Sequence, residues 1–182
     1  MKKLLSILSL SALLLASCSK SSSPTSTNNN NNNNNNTNPN KVVATVGGST
    51  ITFNTLGTAG NATTYINGIA VFAIAGRDSA SQKTMTIGGG GSVSAGQSYD
   101  IGTKSATQYY NFGLTYSMVD ASGNTIYYGT TSSSNTKVGT IYISSISSSN
   151  VQGTFSATLP QTNPSDPTKT VSVNNGSFNV NF

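Results

Sequence analysis

The 182-residue sequence predicts an all-β fold, an antiparallel β-sandwich or partly open barrel of about ten short strands. Three observations lead there. No segment longer than about ten residues carries the 3.6-residue helical period. Tyr110, Phe112, Leu114, Tyr116 and Met118 set apolar side chains at strict period two, as a strand with one buried face requires. Between such runs, glycine, asparagine and aspartate recur at short intervals, where turns between strands belong.

Each element follows from its own residues. Val42 to Val46 and Thr50 to Asn54 flank Gly47-Gly48 and read as a hairpin, because both centres of such a two-residue turn need positive φ. Gly68 to Ala75, apolar on both faces through Ile69, Val71, Phe72 and Ile74, reads as a buried central strand. Met85 and Ile87 alternate before Gly88 to Gly91, which reads as a flexible turn. A turn at Ala95-Gly96 leads to a short strand with Tyr99 and Ile101. The Tyr110 to Met118 strand turns at Asp120 to Asn124 into Thr125 to Gly129. The Thr130 to Thr136 loop then leads to a strand with Ile141 and Ile143. After a serine-rich turn come Phe155, Ala157 and Leu159, then one long connection holding Pro160, Pro164 and Pro167. Val171 and Val173, a turn at Asn174-Asn175-Gly176, and Phe178, Val180 and Phe182 close the chain. The last strand is expected to be paired, with Phe182 inward. Roughly 140 residues, 41–182, suffice for a single β core.

The amino-terminal region has a different logic. Lys2 and Lys3 precede an apolar run, Leu4 to Leu15, too short to cross roughly 30 Å of hydrocarbon. Leu15-Ala16-Ser17-Cys18 matches the bacterial lipobox, and Cys18 is the single cysteine. Residues 1–17 therefore look like a lipoprotein signal peptide, which implies cleavage before Cys18 and its acylation. The bland alternative is an ordinary secretory leader with an incidental cysteine. Two or three acyl chains go beyond the single chain that binds only marginally, so the partner this region names is a membrane, held through Cys18 without a span.

Residues 18–40 read as the lipidated cysteine and a disordered tether. They are almost purely Ser, Thr, Asn and Pro, with an unbroken asparagine tract from Asn28 to Asn36, and nothing there can be buried to offset the entropy of ordering. A flexible chain of about 22 residues has a root-mean-square reach of roughly 25 Å and a stretched length of about 70 Å. The localisation that follows from these residues is a membrane surface, reached through the acyl chains. Lys20 stands behind Cys18 without acidic neighbours, so the sequence does not choose between the periplasmic and the cell-surface face.

Composition excludes much chemistry. There is no histidine, and the four acids are Asp78, Asp100, Asp120 and Asp166. Histidine acid/base catalysis, Ser-His-Asp and Cys-His constellations and glutamate glycosidase pairs are absent. Nine Lys+Arg face four Asp. Removing residues 1–17 takes Lys2 and Lys3 and leaves 7 − 4, or +3. That charge is spread thinly, which argues against a nucleic-acid partner. With one cysteine the chain forms no internal disulfide, so the core alone must hold the fold.

Other candidate sites are weighed against plain structural roles. Gly88 to Gly91 lacks the following Lys-Ser/Thr and helix of a phosphate cradle. Asp120-x-Ser122-x-Asn124 faintly resembles a calcium loop, but one carboxylate is little charge and the same residues make a good turn. Asp78 and Asp166 could act as an acid pair only if the fold joined them. No cofactor or metal is expected, and the domain reads as non-catalytic. Ser79, in Asp78-Ser79-Ala80, matches a short Asp-Ser/Thr-small motif that some bacteria O-glycosylate on exported proteins. Tyrosine is the one surplus, with eight copies. If Tyr110, Tyr116 and Tyr128 face the core, Tyr109, Tyr127 and Tyr142 face outward. Pairing Tyr116 with Tyr128, and Tyr128 with Gly139, would make Tyr127 and Tyr142 diagonal neighbours, a surface on which sugar rings could stack. Otherwise these tyrosines simply line the surface.

The order of motifs also carries a resemblance. The lipobox and polar spacer precede Val46-Gly47-Gly48-x-x-Ile51-x-Phe53, then Gly139-Thr140-Ile141-x-Ile143-x-x-Ile146 and Val151-Gln152-Gly153-Thr154-Phe155-Ser156-Ala157. Val171-x-Val173-x-Asn175-Gly176-x-Phe178 closes the series. This pattern resembles a family of uncharacterised Bacteroidota lipoproteins. The resemblance implies an outer-membrane lipoprotein with a carboxy-terminal β-sandwich and brings no activity with it. Two readings of function stand open: a non-catalytic binding module for a glycan or an envelope protein, and a purely structural or protective envelope lipoprotein with no small-molecule ligand.

Overall fold

The computed structural model describes residues 39–55, 62–66, 69–91, 93–103, 111–130 and 135–182. Residues 1–17, Cys18, the tether up to Asn38, and Tyr109 and Tyr110 lie outside them. The first hairpin forms as its glycines dictate. Strands β1 (Lys41–Val46) and β2 (Ser49–Thr55) pair so that Val46 faces Ser49. Gly47 and Gly48 between them have φ of 56° and 86°, the left-handed pair that this turn demands. Strands β3 (Ala62–Ile66), β4 (Ile69–Asp78), β5 (Lys83–Gly91) and β6 (Gln97–Ile101) follow. After them come β7 (Asn111–Val119), β8 (Thr125–Gly129), β9 (Gly139–Ile146), β10 (Asn150–Asn163) and β11 (Ser165–Asn181).

The strands pair in the order β11-β1-β2-β4-β5-β7-β6-β9-β10, and β10 pairs back onto β11, so the hydrogen-bonded path closes into a ring. Strand β3 lies against β4, and β8 bridges β7 and β10. Two seams are thin. Strands β2 and β4 share only Asn54↔Arg77 and Thr55↔Gly76, and β6 meets β7 through Ile101↔Phe112, the parallel contact in an otherwise antiparallel set. The result is an all-β architecture, compatible with a sandwich laced along its edges or an open barrel. Among the described residues no helix is long and apolar enough to cross a membrane.

The core lies inside the ring, and period-two alternation puts it there. Val42, Ala44 and Val46 of β1 are buried, as are Phe112, Leu114 and Tyr116 of β7. Phe53 meets Tyr116 edge-on at 6.5 Å and Tyr99 lies 5.3 Å from Phe112. Phe182 is half-buried and packs on this cluster, at the end of a paired last strand. Burying one such aromatic or aliphatic side chain contributes about 1.5–3 kcal/mol.

Four expectations need correction. Gly88 to Gly91 are not a turn but the end of β5, paired with β4 throughout and with β7 as far as Gly90. A Cβ on Gly89 would stand 2.5 Å from the Phe112 ring, so this residue is bare because the neighbouring aromatic occupies its space. The prolines do not form a long connection. Pro160 lies within β10, and Thr162 faces Ser165 across Asn163-Pro164 in a tight hairpin. Thr158 donates its N–H to Val138 O at 2.8 Å. Pro160, two residues on, points the same way into the gap before β8 and so loses no ladder bond.

Asn174-Asn175-Gly176 does not reverse the chain either. It is a bulge within the 17-residue β11. Val43 and Thr45 face Ser177 and Asn174, and Phe155 and Ala157 face Gly176 and Val173, so β11 carries one extra residue against both neighbours. Asn175 absorbs it at φ 50°. The bulge moves the inward set from odd positions (Val173) to even ones (Phe178, Val180), as one inserted residue must. Lastly, Tyr128 faces Gln161 of β10, not Gly139. Strands β9 and β8 lie end to end along one edge of β10 rather than side by side.

Candidate functional site

Hydrogen-bond register lays out the face of β6, β9, β10, β11, β1 and β2 that points away from the core. One row runs Ser98, Tyr142, Thr154, Ser177, Val43, Thr52. The next runs Asp100, Thr140, Ser156, then the bulge, Thr45 and Thr50. Thr45 and Thr50 share a hydroxyl hydrogen bond at 3.2 Å. Most of this surface is hydroxyl and carboxamide, because, Tyr142, Val43 and Asp100 apart, the outward residues of these rows are Ser and Thr, with Asn174 at the bulge.

Where the bulge bends β11, an open groove of about 460 Å³ forms, lined by Thr140, Tyr142, Thr154, Phe155, Ser156, Asn174, Asn175 and Gly176. None of these side chains is charged. Tyr142 is 41% exposed. Asn174 and Asn175 are both exposed, since the bulge sets two successive residues on the outer side where alternation allows one. Ser177, one position beyond the groove, is buried, and its Oγ has no hydrogen-bond partner among the described residues.

The sequence-predicted tyrosines separate here. Tyr127 is 44% exposed and outward, as alternation requires. Yet Tyr142 faces Thr154 while Tyr127 faces Asn163, nine residues further along β10, or roughly 30 Å at strand rise. They are not diagonal neighbours, because β8 joins β10 beyond the end of β9. Tyr116 and Tyr128 do pair, with ring centroids 6.2 Å apart.

The aspartates are committed to local work. Asp120 Oδ1 accepts the N–H groups of Ser122 and Asn124 at 2.9 and 2.8 Å, and Asn124 Nδ2 donates to Oδ2 at 3.4 Å. The backbone N–H of Asn124, above all, holds this carboxyl below the usual carboxylate range. The loop is a hairpin turn, and no group of three acidic, histidine or cysteine side chains able to hold a metal occurs among the described residues. Asp78 accepts from the Ser81 hydroxyl and the Ala80 N–H, and the Ser81 hydroxyl is the main cause of its lowered pKa. Asp166 is likewise lowered, first by the Thr168 hydroxyl, and pairs with Lys169 at 3.4 Å. Asp100 pairs with Lys137 at 2.7 Å. Asp78 thus serves the β4–β5 turn and Asp166 the start of β11, and each is held by its own neighbours rather than by the other. Ser79 is exposed in the turn between β4 and β5.

The sequence reading missed Thr140, Thr154, Ser156, Asn174 and Asn175 as groove residues. A signal was present in the odd offset between Val173 and Phe178, which announces an inserted residue. Comparison of the chain with family models, with curated proteins and with solved structures finds no match. The site must therefore be read from its own chemistry.

Proposed function

We propose that the protein is a non-catalytic envelope lipoprotein of the outer membrane, anchored by acyl chains on Cys18. Residues 1–17 are its leader and residues 18–40 the spacer that carries the β domain clear of the headgroups. The domain works by presenting its polar outer face to a neutral glycan or an envelope protein. The observation that carries the binding part is the groove beside Tyr142, an open site with donors, acceptors and one aromatic face but no charge. The lipobox Leu15-Ala16-Ser17-Cys18 supports the anchoring. The motif order that resembles Bacteroidota lipoproteins supports it as well, and Ser79, exposed in a turn, fits O-glycosylation in that compartment. A structural or protective role is the second reading, favoured by the roughly 30 Å between Tyr127 and Tyr142, which leaves no continuous aromatic strip.

The anchoring is tested by fractionation. Wild-type protein is expected to stay with outer membranes through a high-salt wash, and Cys18→Ser to be released as a folded domain. A Cys18→Ser protein that still sediments with the membranes would rule out the lipid anchor.

A further inference from the structure

We propose that the groove between Tyr142 and the bulge at Asn174 and Asn175 is a subsite for one pyranose ring of a neutral saccharide. The inference rests on the reading that the domain binds a ligand rather than merely covering a surface, and it assigns that reading a place and a chemistry. A volume of about 460 Å³ falls within the range of small-molecule sites, about 300–1,000 Å³. The groove offers hydroxyls from Thr140, Thr154 and Ser156 and carboxamides from Asn174 and Asn175. Each of these groups both donates and accepts, which matches a ring carrying several hydroxyls that do the same. An ion finds no counter-charge among these side chains, and a wholly apolar ligand would offer nothing to the Thr140, Thr154 and Ser156 hydroxyls or the Asn174 carboxamide.

The remaining face of a pyranose is a patch of C–H groups, and Tyr142 stands at the rim with 41% of its surface open to meet it. Rigidity supports the assignment. Thr140, Tyr142, Thr154 and Ser156 project from paired strands, and Asn174 and Asn175 are fixed by a bulge locked between β1 and β10. Sites on strands hold their geometry better than sites on loops. Tyr127, roughly 30 Å away along β10, takes no part.

The test is calorimetric titration of the full chain, purified in detergent, with neutral hexasaccharides of glucose, mannose, galactose and xylose. At least one is expected to bind with a Kd of about a millimolar or below, unchanged between low and high salt because no ion pair forms. Tyr142→Ala is expected to weaken binding at least about tenfold and Asn174→Ala severalfold, while Tyr142→Phe and Tyr127→Ala stay within about threefold of wild type. An unchanged thermal midpoint confirms that the exposed substitutions leave the fold intact. Binding that survives Tyr142→Ala undiminished would overturn the site and leave the binding reading standing. Failure of wild-type protein to bind any of the four sugars at about 10 mM would overturn both and favour the structural role.

Discussion

Tyr116 shows how much one buried side chain reports about its surroundings. Its ring lies 6.2 Å from Tyr128 and meets Phe53 edge-on at 6.5 Å. Burial above all, then the neighbouring Tyr128 phenol and the Asp78 charge, pushes its pKa from 10.0 up to about 12. The native state therefore keeps this proton at pH values where the unfolded chain has lost it. Stability from this group is complete below pH 10 and drains away as pH rises from 10 towards 12. Urea melts should show the midpoint of wild-type protein falling across that window. Tyr116→Phe has no proton to lose and should fall less steeply. Parallel slopes for the two proteins would show that Tyr116 is not the residue held neutral.

At the scale of the element, β5 and β11 carry the lesson. Both contain glycine-bearing runs that look like turns, and both run straight through them as strand. Gly89 is bare because Phe112 fills the space beside it, and a Cβ there would also stand 2.5 Å from Asn111 O. Gly88, one position earlier, has nothing within 4 Å of an added Cβ. Gly89→Ala should therefore cost more than about 2 kcal/mol through overpacking against ring and backbone. Gly88→Ala should change stability by less than about 1 kcal/mol. Chemical denaturation of the two variants checks this, and equal costs would mean that the β5–β7 register is wrong.

Alternation made β1, β2, β7, β9 and the inward residues of β10 and β11 legible, though not the extents of the last two, because side-chain period is a local property. Turn residues were less legible, because Gly and Asn suit a bulge as well as a reversal. The neighbouring strand decides between them: β1 and β10 run past the Asn174 to Gly176 stretch without a break. Strand β3 was not anticipated. Half of the candidate site was equally hidden. Tyr142 could be placed outward from its own strand, but its distance from Tyr127 depends on β8 joining β10, a contact between residues 127–128 and 161–163 that no local pattern encodes.

At the scale of the whole molecule, the carboxy-terminal strand closes the ring and also fixes where the chain enters it. Asn40 donates its N–H to Asn179 O at 2.7 Å and accepts the Asn181 N–H at its side-chain oxygen at 3.0 Å. Its carbonyl accepts the Thr55 N–H at 3.0 Å. The residue just before β1 is thus clamped to both β11 and β2. Such an entry point suits a domain held by its amino terminus. A sugar held in the proposed groove by one ring contact and a few hydrogen bonds would gain most from many copies sharing a surface, and the proposed lipid anchor would provide that. The claim on which this rests is acylation of Cys18. Intact-mass and fragment analysis of protein extracted from membranes tests it most directly. A first residue of Cys18 carrying two or three acyl chains is the expected result. A mature chain with an unmodified Cys18, or one that retains residues 1–17, would contradict it.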